Sequence, residues 1–276
     1  LPAGRTLLLV LDRPRDLRSG KKGVPTLRKT TIVIVNFYTS RYVKKCLESL
    51  RSEVFEEVIV VDNSVDPAEY DALVGLTTTE PRLRVVQADA NHGFGYAVNY
   101  GANFAGIQDN DFLWVLNPDI LYEAPVLSTL RRSIEFYGYD IVSPAILYAE
   151  QPPTYWYNGG DVDPETGRAT HRDLRKPALS HVPSHERPPE QVTFMTGAAP
   201  LFSGYAWNRL GGFRSDLFMY WEDVDLSLRA LSVGIKMGVC LSAQVHHEVG
   251  AASGDHRGMS PLFYFYNARN RLVVLS

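Results

Sequence analysis

From Thr31 onward the apolar positions fall into two alternating periods. Thr31–Val35 (TIVIV), Val58–Val61 (VIVV), Leu83–Gln87 and Phe112–Leu116 are short apolar or β-branched runs. Runs of this kind suit parallel strands covered on both faces. Between them the apolar residues recur three and four apart. After Thr39 or Ser40, either of which can cap a helix, Val43, Cys46, Leu47 and Leu50 share one face. Asp66-Pro67 opens the next helix, with the aspartate as cap and the proline in the first turn. Gly95–Ile107 is rich in small residues and can lie close against a sheet, and Pro125–Tyr137 follows the fourth strand. This βαβαβαβ order predicts an α/β fold, an open, mostly parallel twisted sheet with helices on both faces.

The second half has a different texture. Residues 150–191 are rich in Pro, Gly, His and charge, and read as loops with a hairpin around Tyr155–Asp161. Val192–Met195 is strand-like, and Tyr205–Leu210 is a short helix stopped by Gly211-Gly212. Glu222–Val233 is a firmer helix, with Val224, Leu228 and Leu231 on its apolar side and Gly234 as its stop. Lys236–Leu241 is a further strand, and no internal repeat is evident.

Charge and composition narrow the classes. A net charge of −3 over 276 residues carries no nucleic-acid footprint, so no nucleic-acid partner is expected. The first thirty residues hold eight Lys/Arg against Asp12 and Asp16. They read as a basic arm or linker, either solvated or in peripheral contact with anionic lipid headgroups. No apolar run approaches the ~20 residues of a membrane span. Two distant cysteines, Cys46 and Cys240, make no disulfide scaffold and suit a reducing compartment. The expected location is therefore cytoplasmic, at the inner face of the membrane if the arm binds lipid.

Ligands of open α/β sheets bind at the carboxyl ends of the strands. Here those ends read Asn36-Phe37, Asp62-Asn63-Ser64, Asn91-His92-Gly93 and Asn117-Pro118-Asp119. Asp62 can accept hydrogen bonds from a ribose or a pyrimidine N–H, or simply cap a turn. Asn91 and Gly93 precede a helix whose N-terminus favours a diphosphate, and equally make a tight strand-to-helix turn. Asp119, behind a rigid proline, suits one ligand of a hard cation such as Mg²⁺ or Mn²⁺. Further on, Glu222, Asp223 and Asp225 crowd the first turn of a helix behind Phe218-Met219-Tyr220-Trp221. Such crowding is either helix capping or a partly buried set of candidate general bases. His246-His247 is a loop pair of which at most one would serve a given metal. Trp156 and Trp221 can form stacking faces for an acceptor sugar or belong to the core.

Taken in order, IVIVNFYTSRYVKKCLESL, VIVVDNS, NHGFGYAVNYG, FLWVLNPDI, TGAAPLF, LGGFRSDLFMYWEDVDLSLRA, VHHEVG and YFYNARNRL resemble the family 2 glycosyltransferases, in particular their rhamnosyltransferase-like branch. The resemblance runs from about Thr31 to Leu275. It implies a GT-A fold over 31–276, with a nucleotide-binding half (31–120) and an acceptor and catalytic half (121–276) that relatives usually extend at the C-terminus. It implies an inverting, metal-dependent transferase using a nucleotide-sugar donor and a glycan or lipid-linked glycan acceptor in surface polysaccharide synthesis. Asn36, Asp62, Asn63, Asn91, Gly93 and Asn117 are then donor-binding, with Asp62 on the base or ribose. Asp119 is the surviving acid of a DxD metal position that here reads Asn-Pro-Asp, and His246 is the additional ligand to Mn²⁺ or Mg²⁺. Asp223 is similar to the family's catalytic base, with Glu222 beside it, and Trp156 and Trp221 face the acceptor. The donor it favours is dTDP-L-rhamnose, with UDP-galactose, UDP-glucose or an N-acetylhexosamine donor as alternatives.

Three other readings compete. A sugar nucleotidyltransferase or a nicotinamide oxidoreductase would need a Gly-rich loop after the first strand, where Asn36-Phe37-Tyr38 stands instead. A non-catalytic nucleotide-sugar-binding module would have no need to keep Asp119, Glu222, Asp223 and His246.

Overall fold

The computed structural model describes residues 28–122, 125–178, 187–248 and 260–276. The basic arm therefore lies outside the described residues up to position 27.

The first half follows the alternation that the sequence predicts: β1 (Thr30–Asn36), α1 (Ser40–Ser49), β2 (Glu57–Asp62), α2 (Pro67–Leu76), β3 (Leu83–Gln87), α3 (Phe94–Ala105) and β4 (Phe112–Leu116). The strands β3, β2, β1 and β4 lie side by side and parallel. All five residues of β4 are buried, as are Ile32, Val33 and Ile34 of β1 and Val58–Val61 of β2. Burying β-branched side chains on both faces is what drives these segments into a central sheet. Asp66 caps α2 through its carboxylate, which accepts from Ala68 N and Glu69 N. At α1 neither Thr39 nor Ser40 caps with its side chain; the Asn36 side chain accepts from Thr39 N instead. Small residues bring α3 onto the sheet: a Cβ on Gly101 would stand 2.9 Å from methyls of Val33 and Val61.

The second half adds β5 (Ile120–Leu121), α4 (Leu127–Tyr137), β6 (Ile141–Tyr148), β7 (Tyr155–Tyr157), β8 (Gly160–Val162), β9 (Ala169–His171), β10 (Glu190–Val192), β11 (Leu201–Ser203), α5 (Gly204–Leu210), α6 (Glu222–Ser232), β12 (Met237–His247) and α7 (Pro261–Leu275). The sheet continues past β4 through antiparallel β11 to β6, then to β12 parallel to β6, and ends on β10. The short β5 pairs with β12 and β7 with β6, while β8 and β9 form a separate hairpin. The molecule is thus an α/β fold with helices packed around a curled, mostly parallel sheet.

Several elements depart from the sequence reading: Val192–Met195, read as strand-like, contributes only Val192 to β10, and β5, β11 and α7 have no counterpart in it. β6 was not predicted, because Pro144 interrupts its apolar run and proline removes a ladder donor. The sheet accommodates it where β12 shifts register between Cys240 and Gln244. The hairpin is β8–β9, since Tyr155–Tyr157 is spent on pairing with β6. β12 runs to His247, so the histidine pair sits in a strand and not in a loop. Cys46 and Cys240 are both buried and free. Among the described residues no helix is long and apolar enough to cross a membrane.

Candidate active site

The carboxyl ends of β1 and β2 form one hydrogen-bonded cluster. Asn36 Nδ2 lies within hydrogen-bond distance of Asp62 Oδ1 (3.0 Å), Ser64 Oγ (3.2 Å) and Glu69 Oε2 (3.2 Å), its two N–H groups shared among them. Asp62 Oδ1 also accepts from Ser64 N, and Oδ2 from Gln87 Nε2 at 3.1 Å. Asp62 is fully buried, and Asn63 and Ser64 nearly so. The aspartate expected to face a ribose or base therefore closes the strand ends from inside. The exposed groups at this edge are the rings of Phe37 (40%) and Tyr38 (57%), set edge to face.

Gly93 also has a different reason for being glycine than the sequence suggested. Its φ is +90°, and a Cβ there would lie 2.0 Å from the Phe218 carbonyl oxygen. That carbonyl accepts from Phe94 N (2.9 Å), the first amide of α3. The space expected for a diphosphate is thus partly filled by the protein's own backbone. Asn91 Oδ1 accepts from Asn63 Nδ2 (2.8 Å) and Gly93 N (3.0 Å), which fixes the turn. Asn117 N donates to Ala198 O and its carbonyl accepts from Ile120 N, folding the chain back after β4 and carrying Asp119 inward.

Asp119 meets a histidine, and it is His247. His247 Nε2 stands 3.1 Å from Asp119 Oδ1, and both side chains are nearly buried. The pairing of β12 with β5 sets His247 opposite Ile120, next to Asp119, and His246 opposite Leu121. Neighbours on a strand point to opposite faces, so His246, the histidine selected from the sequence, is turned away. The approach of Asp119 and His247 is off the line of a hydrogen bond: Asp119 Oδ1 and His247 Nδ1 have no hydrogen-bond partner among the described residues. Two adjacent ligands of an octahedral ion with bonds of ~2.1 Å stand about 3.0 Å apart, the spacing seen here. No group of three His, Cys, Asp or Glu side chains gathers among the described residues, so a divalent cation would draw further ligands from elsewhere.

Of the acids at the start of α6, Asp225 is structural. It pairs with Arg229 at 2.7 Å and faces Arg214 at 3.6 Å, while Arg229 also donates to the carbonyls of Leu210 and Gly212. Among the described residues Glu222 and Asp223 have no arginine or lysine partner, and Glu222 Oε2 is buried without a hydrogen-bond partner. Burial first, and then the Asp223 charge, push the Glu222 carboxyl up to about 8. Burial also raises Asp223, but the Val224 N–H, the His171 charge and the Gly197 N–H pull the other way. Val224 N donates to Asp223 Oδ1 at 2.8 Å. When the pair carries one proton, it therefore resides on Glu222 and leaves Asp223 ionised.

A group missed by the sequence reading joins these two centres. His171, on β9, donates its Nδ1–H to the Trp156 carbonyl at 2.7 Å, since the carbonyl oxygen can only accept. The Trp156 ring meets His171 edge-on at 5.1 Å and His247 at 4.7 Å. Trp156 thus bridges the Asp119–His247 corner and the side of the site that holds Asp223. Trp221 lies against Gly167, with Nε1 donating to Asn267 Oδ1 at 3.3 Å.

The backbone leading into α6 is held in rarely used conformations. Phe218 (φ 62°, ψ −65°) is the centre of a left-handed γ-turn closed by Met219 N to Leu217 O at 2.8 Å. Tyr220 (φ 65°) and Trp221 (φ 73°) follow, both left-handed. Each such residue costs roughly 1–3 kcal/mol, and clusters of them mark sites whose surroundings enforce them.

The fold is the one shared by GT-A glycosyltransferases of known structure. A family model described as Glycosyl transferase family 2 matches residues 31–195, and the chain belongs to that family. The low-salt glycan biosynthesis hexosyltransferase Agl10 of Haloferax volcanii is 23% identical over 218 residues, covering 79% of this chain and 66% of that protein. The rhamnosyltransferase WbbL of Escherichia coli K12 is 24% identical over 245 residues, covering 82% and 84%. Among solved structures, the mannosyltransferase PcManGT of Pyrobaculum calidifontis, with GDP-Man and Mn²⁺, superposes at a TM-score of 0.60 and 17% identity over 94% of this chain and 67% of that one. GalNAc-T7 with UDP, GalNAc and Mn²⁺ gives 0.64 and 15% over 81% and 44%. At these identities the structural likeness is one of fold. Glu222, Asp223 and His247 lie beyond the segment that the family model matches.

The acid pair has a measurable consequence. A carboxyl raised from 4.5 to about 8 on folding keeps its proton in the folded state after the unfolded chain has lost it. Stability then falls as pH rises through that interval. In protein stripped of divalent ions, Glu222→Gln is expected to match the wild-type Tm near pH 4 and to exceed it increasingly up to pH 8. A Tm difference independent of pH would show that Glu222 is not the protonated member.

Proposed function

We propose that this chain moves a sugar from a nucleotide-diphosphate donor to a hydroxyl of a glycan or lipid-linked glycan, with inversion at the anomeric carbon, in surface polysaccharide synthesis. The observation that carries this reading is the buried, asymmetric acid pair: Asp223 accepts from the Val224 N–H, beside a Glu222 whose Oε2 has no hydrogen-bond partner among the described residues, so burial favours the proton on Glu222. An acceptor hydroxyl is a poor nucleophile, and a carboxylate within hydrogen-bond reach can take its proton as it attacks, typically worth 10²–10⁴-fold. One base acting once implies a single displacement, hence inversion. Trp156 and Trp221 offer ring faces on the acceptor side.

Asp119 and His247 are the residues that would hold a divalent cation, Mn²⁺ or Mg²⁺, with the donor diphosphate and water as its remaining ligands. Such an ion supplies charge neutralisation to the departing diphosphate. The strand-end cluster of Asn36, Asp62, Asn63, Asn91, Gly93 and Asn117 forms the floor under the donor nucleotide, and the Phe37 and Tyr38 rings stand at its edge. The donor sugar is L-rhamnose from dTDP-L-rhamnose, supported by the likeness to WbbL. The likeness to Agl10, named only as a hexosyltransferase, favours a UDP-hexose as the second reading. A lipid-linked acceptor would set the enzyme at the inner membrane face, with the basic arm toward anionic headgroups.

A panel of dTDP-L-rhamnose, UDP-galactose, UDP-glucose and UDP-N-acetylglucosamine, scored by nucleoside-diphosphate release with Mn²⁺, identifies the donor that turns over. With that donor, EDTA is expected to abolish release and Mn²⁺ to restore it. His247→Ala should lose metal-dependent release while His246→Ala keeps most of it; the reverse order would return the metal to His246, and full activity in EDTA would remove it altogether. In the same assay Asp223→Asn should lower kcat by about 10²–10⁴ with donor KM little changed. Near-normal kcat in Asp223→Asn would make the acid pair a capping feature.

A further inference from the structure

The strained turn before α6 has a template, and it is helix α7. Phe263, Tyr266, Asn267 and Asn270 stand at i, i+3, i+4 and i+7, on one helix face. All four touch residues 217–221. The Phe263 ring meets Tyr220 edge-on at 5.0 Å, the Tyr266 ring stacks on Phe218 at 4.9 Å, and Asn267 receives the Trp221 indole N–H. Asn270 does the most. It is fully buried, and its Nδ2 lies within hydrogen-bond distance of the carbonyls of Leu217 (2.7 Å), Met219 (2.9 Å) and Tyr220 (2.8 Å), its two N–H groups shared among the three. Its Oδ1 accepts from Arg269 Nη1, which also reaches the Asp216 carbonyl.

These three carbonyls converge because Phe218, Tyr220 and Trp221 are left-handed. In ordinary helical or extended backbone, carbonyls of residues 217, 219 and 220 would not face one point. A primary amide is the side chain that suits the spot, since it donates without bringing a charge into a buried place. On its other side the turn presses the Phe218 carbonyl onto Phe94 N, so it is gripped between the start of α3 and the face of α7. Asp223 follows two residues after Trp221, so the turn sets where the first turn of α6, and its carboxylate, begins.

We propose that Asn270 is a positioning residue for the transfer reaction: by gathering the carbonyls of Leu217, Met219 and Tyr220 it holds the strained turn that aims Asp223. This rests on Asp223 being the base. Asn270 touches no reacting atom; it acts through backbone.

The test is a double-mutant cycle in the full chain, using whichever nucleotide sugar of the panel turns over. Asn270→Ala alone is expected to lower kcat by about 10–100-fold, with affinity for the free nucleoside diphosphate within twofold of wild type. In the Asp223→Asn background the same substitution should cost less than twofold, because misaiming an absent base has no further effect. Should Asn270→Ala fail to fold, Asn270→Ser, which keeps a donor, carries the same cycle. An equal fold-loss in both backgrounds would make Asn270 a purely structural residue and overturn the proposal, as would a wild-type kcat for Asn270→Ala. If instead Asp223→Asn alone keeps wild-type kcat, the base assignment fails, whatever Asn270 does.

Discussion

The amide of Phe94 donates to the carbonyl of Phe218, and that one backbone contact joins the two halves of the molecule where chemistry would occur. It requires Gly93, since any Cβ would collide with the carbonyl. It requires Phe218 to turn left-handed, which in turn requires Asn270 to collect the carbonyls that the turn leaves inside. The start of α6 inherits its position from this chain of constraints. The parallel core of β1–β4 supplies a rigid floor. The turn converts that rigidity into a fixed place for a carboxylate contributed by the other half.

Charge is handled differently at neighbouring positions. Asp225 is neutralised by Arg229 and Arg214 and anchors α6 to the end of α5. Among the described residues Glu222 and Asp223 pair with no Arg or Lys, and burial raises both. A fold under no functional demand gains nothing from two adjacent uncompensated carboxylates, which cost stability as pH rises. The same holds at Asp119 and His247: Asp119 Oδ1, which faces His247, and His247 Nδ1 lack hydrogen-bond partners among the described residues. Trp156 and His171 pack between these two corners, so that neither is a separate feature of the surface.

How much of this was legible in the sequence follows from what each signal depends on. β1, β2 and β4 declare themselves because both faces are buried and each run is continuously apolar. The Asp66 cap was readable because capping is local. The acid cluster at α6 was readable as a cluster, and the i, i+4 spacing of Asp225 and Arg229 was a signal that could have separated the structural acid from the other two. β6 was hidden by Pro144. The choice between His246 and His247 depends on the phase of a strand that shifts register between Cys240 and Gln244, and such a shift resets which side chains face inward. Gly93 looked like a phosphate glycine because its partner, Phe218, is remote in sequence. His171 and Asn270 carry no local signature: one is marked by its contact with Trp156, the other by three carbonyls that converge only in the folded chain.

The central claim is that one carboxylate acts once, so that the sugar is transferred by a single displacement. The configuration of the new glycosidic bond tests it most directly. With the donor that turns over and an acceptor that is glycosylated, the anomeric proton and carbon signals of the purified product report that configuration by their coupling. The account predicts an anomeric configuration opposite to that of the donor sugar. A product that retains the donor's configuration would contradict it, since two displacements would then be needed and Asp223 could not serve as the sole base.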